Sequence, residues 1–286
     1  MQIIEQHIVK LSCDKERIYD YLPGKLETIT TRKGIKKALR QGRILLNSKK
    51  AKSGDYINST DVISLLEREV VPFKVFPAAI EIIYEDEYLA VVNKPAGLLT
   101  SGNAYKTLHN TLPHNLKKSS KQDALPWPLP IHRLDKPTSG LVIIAKTYES
   151  RVLLGRMMEE HQIHKTYFAL VQGQIKCSGI LNSPIDEKKA VTYFNTEAIF
   201  PCTKNGFLSL LKLRPKTGRK HQLRIHLARL GYPILGDTEH GNPENTLLHK
   251  GLFLVAKELN FLHPISKKEL SLELPLPKKF VRRMKI

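Results

Sequence analysis

Apolar and polar positions along this chain follow two different periods, and the switches between them mark its elements. Over TTRKGIKKALRQGRILLN the apolar residues Ile35, Ala38 and Leu39 recur at helical spacing, with Thr30 or Thr31 as N-cap and Gly42 as the stop. RILLNSKKAKSGDYINSTDVISLLE then reads as short strands joined by a tight Ser-Gly-Asp turn. Two prolines in VVPFKVFPA interrupt the pattern near residues 70–78 and mark a boundary. IEIIYEDEYLAVVNKPAGLLTS holds two β-rich runs around Glu-Asp-Glu, a hairpin that ends at Asn93-Lys94-Pro95 and Gly97. Residues 103–128 scatter Lys, Ser and Pro, which predicts a surface loop or a short helix.

Farther on, RVLLGRMMEEHQ (151–162) is an amphipathic helix, and KTYFALVQGQI (165–175) alternates as a strand. LSLLKLRPKTGRKHQLRIHLARLGYP (208–233) reads as a strand, a Thr-Gly turn and a helix; FLVAKELNFLHPI and ELSLELPLP add further strand. Strands dominate without regular βαβ alternation, so the expected class is α+β with a largely antiparallel mixed sheet. The 286 residues suit a large domain with a small one before it, and we place these at 1–74 and 75–286.

Charge changes the picture more than composition does. Hydrophobic residues make up 41% and charged residues 26%, as in a globular chain, but the formal net charge is +19. Such an excess speaks of partners, polyphosphate first and an anionic membrane second. The longest apolar runs, LVIIA and LFLVA, are far too short to span a bilayer, and the charged N-terminus has no signal-peptide core, so no membrane is expected. Between Lys25 and Lys52 there are ten Lys/Arg and one acid, Glu27. A solvated surface would interleave acids; this run does not, so Arg32, Lys36, Lys37, Arg40 and Arg43 are expected to bind phosphate. The three cysteines, Cys13, Cys177 and Cys202, form no CxxC pair and read as reduced thiols in a cytoplasmic protein.

Reactive groups concentrate in HRLDKPTSG, KTYFALVQG and RPKTGRKHQLRIH. Asp135 is the one acid of the first stretch; it either opens a turn or reacts. Arg219 and Arg224 can pair with it and keep it ionised, and Tyr167 offers a flat ring with a polar tip for stacking on a base. His221 and His226 are five apart, a poor fit to one helix face, so no metal is expected. His132 suits a structural hydrogen bond, Thr138 and Ser139 suit turn bonds that hold the Asp135 loop, and Trp127 suits packing. No GxSxG elbow surrounds Ser139.

Together with NKPAGLLT before them and GYPILGD after, these stretches resemble the RluA-type pseudouridine synthases, from about Ile80 to Pro277. The basic helix, GRILLN, KKAKSGDYI and DVISL resemble, over residues 20–70, the small RNA-binding domain first known from ribosomal protein S-four, a frequent companion of that family. The resemblance implies a pseudouridine synthase fold and isomerisation of uridine in RNA. Asp135 would be the catalytic aspartate, Tyr167 the active-site tyrosine, Arg224 the arginine that pairs with the aspartate, and Arg133 the residue that fills the gap left by a flipped base. Lys165, Arg219, His221 and Gln222, within the same motifs, are expected to contact RNA. Where the family tends to carry Leu-His-Ala, this chain has Leu254-Val255-Ala256, read as a change in packing or RNA contact.

The isomerisation exchanges a nitrogen–sugar bond for a carbon 5–sugar bond with no net change in groups or electrons, so no cofactor is expected. The carboxylate would attack carbon 1′ or help remove the 2′ proton, and Asp135 or Tyr167 would take the final proton from carbon 5. Large-subunit ribosomal RNA is the expected substrate, with transfer RNA the alternative and a non-catalytic RNA-binding or ribosome-assembly factor the rival class. A monomer is expected.

Overall fold

A computed structural model describes residues 2–10, 15–67, 74–202, 206–241 and 250–284. The chain divides into two compact units, Met1–Pro72 and Phe73–Ile286.

The first unit contains β1 (Ile3–Ile8), β2 (Glu16–Arg17), α1 (Ile18–Tyr21), α2 (Arg32–Arg40), β3 (Ile44–Leu46), β4 (Lys49–Lys50), β5 (Tyr56–Ile57) and β6 (Val62–Leu66). Four strands form a sheet in the order β1-β6-β3-β4, and β2 pairs with β5. Helix α2 begins where the sequence places it: Thr31 Oγ1 accepts from Gly34 N at 3.1 Å. Its Ile35, Ala38 and Leu39 are buried against Ile44, Ile63 and Leu65. Gly42, at φ +65°, ends it in a conformation that suits glycine. Arg32, Lys33, Lys36, Lys37 and Arg40 are exposed. Arg43 departs from the expectation: its Nε and Nη2 donate to the Leu66 carbonyl at 3.1 and 2.9 Å, so it ties β6 to the end of α2. Lys52 and Asp55 close the expected Ser-Gly-Asp turn. The β3–β4 hairpin, turned by Asn47 and Ser48 at positive φ, and strand β1 were not legible as such.

The second unit runs β7 (Glu81–Glu85), β8 (Leu89–Lys94), α3 (Leu108–Asn115), β9 (Ala124–Pro130), β10 (Ser139–Thr147), α4 (Tyr148–Glu159), β11 (His164–Gln172), β12 (Gly179–Leu181), β13 (Thr192–Cys202), β14 (Gly206–Pro215), α5 (Gln222–Arg229), β15 (Leu254–Leu262), β16 (Glu269–Glu273) and α6 (Lys278–Met284). Its ten-stranded sheet follows β12-β13-β14-β11-β15-β10-β8-β7, with β16 on β15 and β9 on β10. Among the described residues, β10 and β15 are its one parallel pair. The class is thus the expected α+β with a largely antiparallel mixed sheet.

The apolar run of β10 is buried on both faces because the strand lies inside the sheet. At its start Gly140 sits at φ +123°, and a Cβ there would lie 2.2 Å from the Ala256 carbonyl oxygen. Only glycine lets β10 approach β15 so closely, and this approach anchors the loop carrying Asp135. Val255 is buried and faces Phe168 in the β15–β11 register, so the departure at Leu254-Val255-Ala256 is a packing feature there. The segment expected as loop or short helix holds both α3 and the strand β9. Its three prolines fit a strand paired on one side, which needs no donor on the other.

Candidate active site

Residues 131–138 run into β10 as a loop pinned from several sides. Thr100 Oγ1 donates to the Leu134 carbonyl at 2.9 Å and accepts from Leu134 N at 3.0 Å, both residues being buried. Gly97 N donates to the Lys136 carbonyl at 2.7 Å, and Thr138 N to the Asp135 carbonyl at 3.0 Å. Lys94, fully buried, donates from Nζ to the carbonyls of Leu98, Pro95 and Lys136 at 2.7, 3.0 and 3.4 Å. Burial pushes its pKa down to about 8, against the pull of the Asp135 charge. The NKPAGLLT segment is therefore the cradle of the Asp135 loop. Neither Lys94 nor Thr100 was expected in this role; a Lys-Pro-Ala-Gly stretch between a strand and a threonine was the available signal.

Asp135 opens into a cavity of about 550 Å³ lined also by Arg133, Lys165, Tyr167, His221 and Arg224. Three separate stretches of sequence thus converge. Tyr167 reaches it from β11 beside a bulge at Thr166, the kind of irregularity that re-aims a side chain. Burial, then the Asp135 charge, holds the Tyr167 hydroxyl proton far above the usual phenol range. Arg133 is exposed at the cavity wall, and Arg219 donates from Nε to the Lys189 carbonyl at 3.0 Å. Lys165 lines the cavity, its pKa lowered by burial. His132 is held neutral, its pKa pushed down to about 3 by burial and then by Lys165; Nε2 accepts from Ile143 N at 3.2 Å, the structural bond expected of it. A larger cavity of about 670 Å³ adjoins this one through Met158, Lys165 and Thr217, and Tyr193, Arg214 and Lys216 line it.

Two expectations need correction. Arg224 does not pair with Asp135. It is 2% exposed, and its Nε and Nη2 form a two-pronged bond to Asp237 at 2.8 and 2.6 Å, with Glu239 Oε1 at 3.2 Å from Nη2. A planar fork fits one carboxylate best, and the GYPILGD turn brings Asp237 within reach of Arg224 on α5. Its Nη1 is buried without a hydrogen-bond partner. Among the described residues the basic side chain that meets Asp135 is His221, Nε2 to Oδ1 at 3.9 Å, an ion pair only when the ring is protonated, which burial of the ring disfavours. Gln222, expected to touch RNA, is spent within the protein. Its Oε1 accepts from Thr217 Oγ1 and Arg219 N at 2.7 and 3.0 Å, and its Nε2 donates to the Val191 carbonyl and Thr192 Oγ1, both at 3.0 Å. That exhausts an amide side chain. Thr138 holds the loop through its backbone, while its Oγ1 is buried without a partner.

His221 is the N-cap of α5 at φ +53°, a left-handed conformation that histidine adopts more readily than most residues. That turn aims the ring between two sets of groups: Nε2 toward Asp135, and Nδ1 toward His240 Nε2 at 3.0 Å and Glu239 Oε2 at 3.5 Å. His226, the other histidine weighed from spacing, points elsewhere and bonds Thr192 Oγ1 and the Ser183 carbonyl.

The family described as RNA pseudouridylate synthase matches residues 88–229, the span that carries Asp135, Tyr167 and Arg224. A Rickettsia typhi protein named "Ribosomal large subunit pseudouridine synthase C" is 37% identical over 284 residues, covering 87% of this chain and 90% of that protein. The chain belongs to the RNA pseudouridylate synthase family. It is of the RluA type, and the reaction is the isomerisation of uridine to pseudouridine in RNA. A Vibrio parahaemolyticus protein named "tRNA pseudouridine synthase C" is 35% identical, covering 68% of this chain and 89% of that protein. The solved structure titled "Human RNA Pseudouridylate Synthase Domain Containing 4" shares the fold, with TM-score 0.55 and 24% identity over 71% of this chain and 91% of that one. Among the described residues no helix is long and apolar enough to cross a membrane.

Proposed function

We propose that this pseudouridine synthase acts on large-subunit ribosomal RNA, with Asp135 as the reacting carboxylate and the unit before residue 75 as an S-four-like RNA grip. The observation that carries the first part is the convergence of Asp135, Tyr167 and Arg224 on one cavity of nucleoside size. Asp135 starts the exchange by attacking carbon 1′ or by drawing off the 2′ proton, and the glycosidic nitrogen leaves. Tyr167 stacks on the freed uracil while it turns to present carbon 5. Carbon 5 then bonds to carbon 1′, which releases the Asp135 carboxylate on the attack route; on the other route the 2′ proton returns from Asp135 to the sugar. The freed carboxylate takes the carbon 5 proton, because Tyr167 keeps its own proton and a phenolate there would be costly. Arg224 anchors the wall through Asp237, and its unpartnered Nη1 is the donor left for substrate. Arg133 takes the place of the flipped base in the RNA stack. The adjoining cavity, with Arg214, Lys216 and the half-exposed Tyr193, suits flanking nucleotides.

The ribosomal reading is favoured by coverage. The Rickettsia relative spans 87% of this chain, a share too large for the second unit alone, so its likeness extends into the basic unit. The Vibrio relative named for transfer RNA spans 68%, which the second unit alone could supply. The test is tritium release from RNA labelled at uracil carbon 5, with pseudouridine mapping of cells that have and lack the gene. Wild type releases tritium, Asp135→Asn does not, and the lost sites fall in large-subunit ribosomal RNA. Release by Asp135→Asn sinks the carboxylate assignment; loss confined to transfer RNA sinks the substrate.

A further inference from the structure

The site leaves one cluster unused. His221, Glu239 and His240 bring a ring nitrogen, a carboxylate oxygen and a second ring nitrogen within 4.8 Å of one another. His221 Nδ1 lies 3.0 Å from His240 Nε2 and 3.5 Å from Glu239 Oε2. Zinc–nitrogen bonds of about 2.0–2.1 Å in a tetrahedron put neighbouring ligand atoms about 3.3 Å apart. The three donors are thus already near the spacing of one tetrahedral face. Two imidazoles and one carboxylate form the borderline ligand set that selects zinc-class dications over calcium or magnesium.

The charge around the cluster also suits a cation. Arg224 could repel one, but its guanidinium is taken by Asp237 and touches Glu239 through Oε1 only. The other oxygen of Glu239 faces His221. With each ring in its neutral form, one ring proton is shared between Nδ1 and Nε2; a metal ion replaces that bond with two coordinate ones.

We propose that His221 Nδ1, His240 Nε2 and Glu239 Oε2 form a binding site for a zinc-class transition dication, and that its occupation switches off Asp135. A metal on Nδ1 leaves the ring proton of His221 on Nε2, the atom 3.9 Å from Asp135 Oδ1. The carboxylate becomes the outer partner of a metal-bound histidine and is drawn to the N–H, away from the ribose. No covalent bond changes and no proton is gained or lost; the metal selects one tautomer. The binding half of the proposal stands on geometry alone, while the switching half rests on Asp135 being the reacting group.

The site is tested on the full chain freed of metal with a chelator. Calorimetric titration with Zn²⁺ gives one ion per chain, and Co²⁺ in its place develops the intense visible absorption of tetrahedral coordination. His240→Ala weakens Zn²⁺ binding at least about tenfold, and Glu239→Gln, at a half-exposed carboxylate, repeats the test with little change of shape. Asp135→Asn keeps an acceptor oxygen but removes the outer-shell charge, and weakens binding about tenfold. In tritium release, Zn²⁺ inhibits the wild type and the chelator restores it, while His240→Ala turns over at the same Zn²⁺ concentration. Absence of stoichiometric binding, or binding unchanged in both His240→Ala and Glu239→Gln, overturns the site. Binding that leaves wild-type turnover unaltered, or inhibits His240→Ala equally, overturns the switch. A metal-free wild type without turnover on RNA counts against the proposed substrate and reaction roles, and the binding measurements still decide the site.

Discussion

The Asp135 loop and the outer face of α2 are both charged, yet they are built on opposite principles. Around Asp135 the backbone is held by Thr100, Gly97 and Lys94, and Arg224 is locked to Asp237 at 2% exposure. On α2 the cations stand in solvent, with Arg32 loosely paired to Asp20 at 3.4 Å. Chemistry at one atom needs groups fixed to within a fraction of an ångström, which burial and satisfied hydrogen bonds supply. Holding a polyanion needs charge that can exchange counterions for phosphates, which only exposed groups supply.

The difference predicts how each region breaks. Arg224→Leu takes the guanidinium away from a buried, ionised Asp237 and costs about 3–5 kcal/mol, read as a fall in the urea midpoint. Thr100→Val keeps the shape but strips two bonds from Leu134, costing about 1–3 kcal/mol of stability and lowering turnover as the Asp135 loop loosens. Lys36→Ala, Lys37→Ala and Arg40→Ala leave stability nearly unchanged. Each flattens the salt dependence of RNA affinity, the slope of log K against log salt falling by about 0.7–0.9 for every phosphate the protein no longer neutralises.

A separate effect concerns pH. Burial, then the Lys165 charge, pushes the His132 pKa in the folded chain down to about 3, well below its ordinary value. The unfolded chain takes up that proton first as pH falls, so wild type loses stability from roughly pH 6.5 down to about 3. His132→Gln keeps an acceptor for Ile143 N and loses less over that window, as urea midpoints against pH will show. If both proteins lose stability in parallel, His132 is not the buried neutral group described.

What could be read from sequence follows the same division. Helix α2 was legible because its apolar period, Thr31 cap and Gly42 stop are all local. Asp135, Tyr167 and Arg224 were legible through the motifs that carry them. The partners of these residues were not. Arg224 finds Asp237 across a turn, Gln222 reaches back to Val191 and Thr192, and His221 meets His240, all pairings that the fold creates and spacing does not encode. Strand β9 was missed because its prolines read as breakers until β10 is known to pair with one side of it.

The central claim is that the enclosed carboxylate performs the reaction while the open basic face only holds RNA. Steady-state kinetics of Asp135→Asn beside the triple variant Lys36→Ala/Lys37→Ala/Arg40→Ala on one ribosomal RNA fragment tests this most directly. The predicted result is a kcat loss on the order of ten-thousandfold with RNA affinity kept for the first, and a raised KM with kcat kept for the second. Comparable kcat in Asp135→Asn and wild type, or a triple variant that loses kcat and keeps its KM, would contradict it.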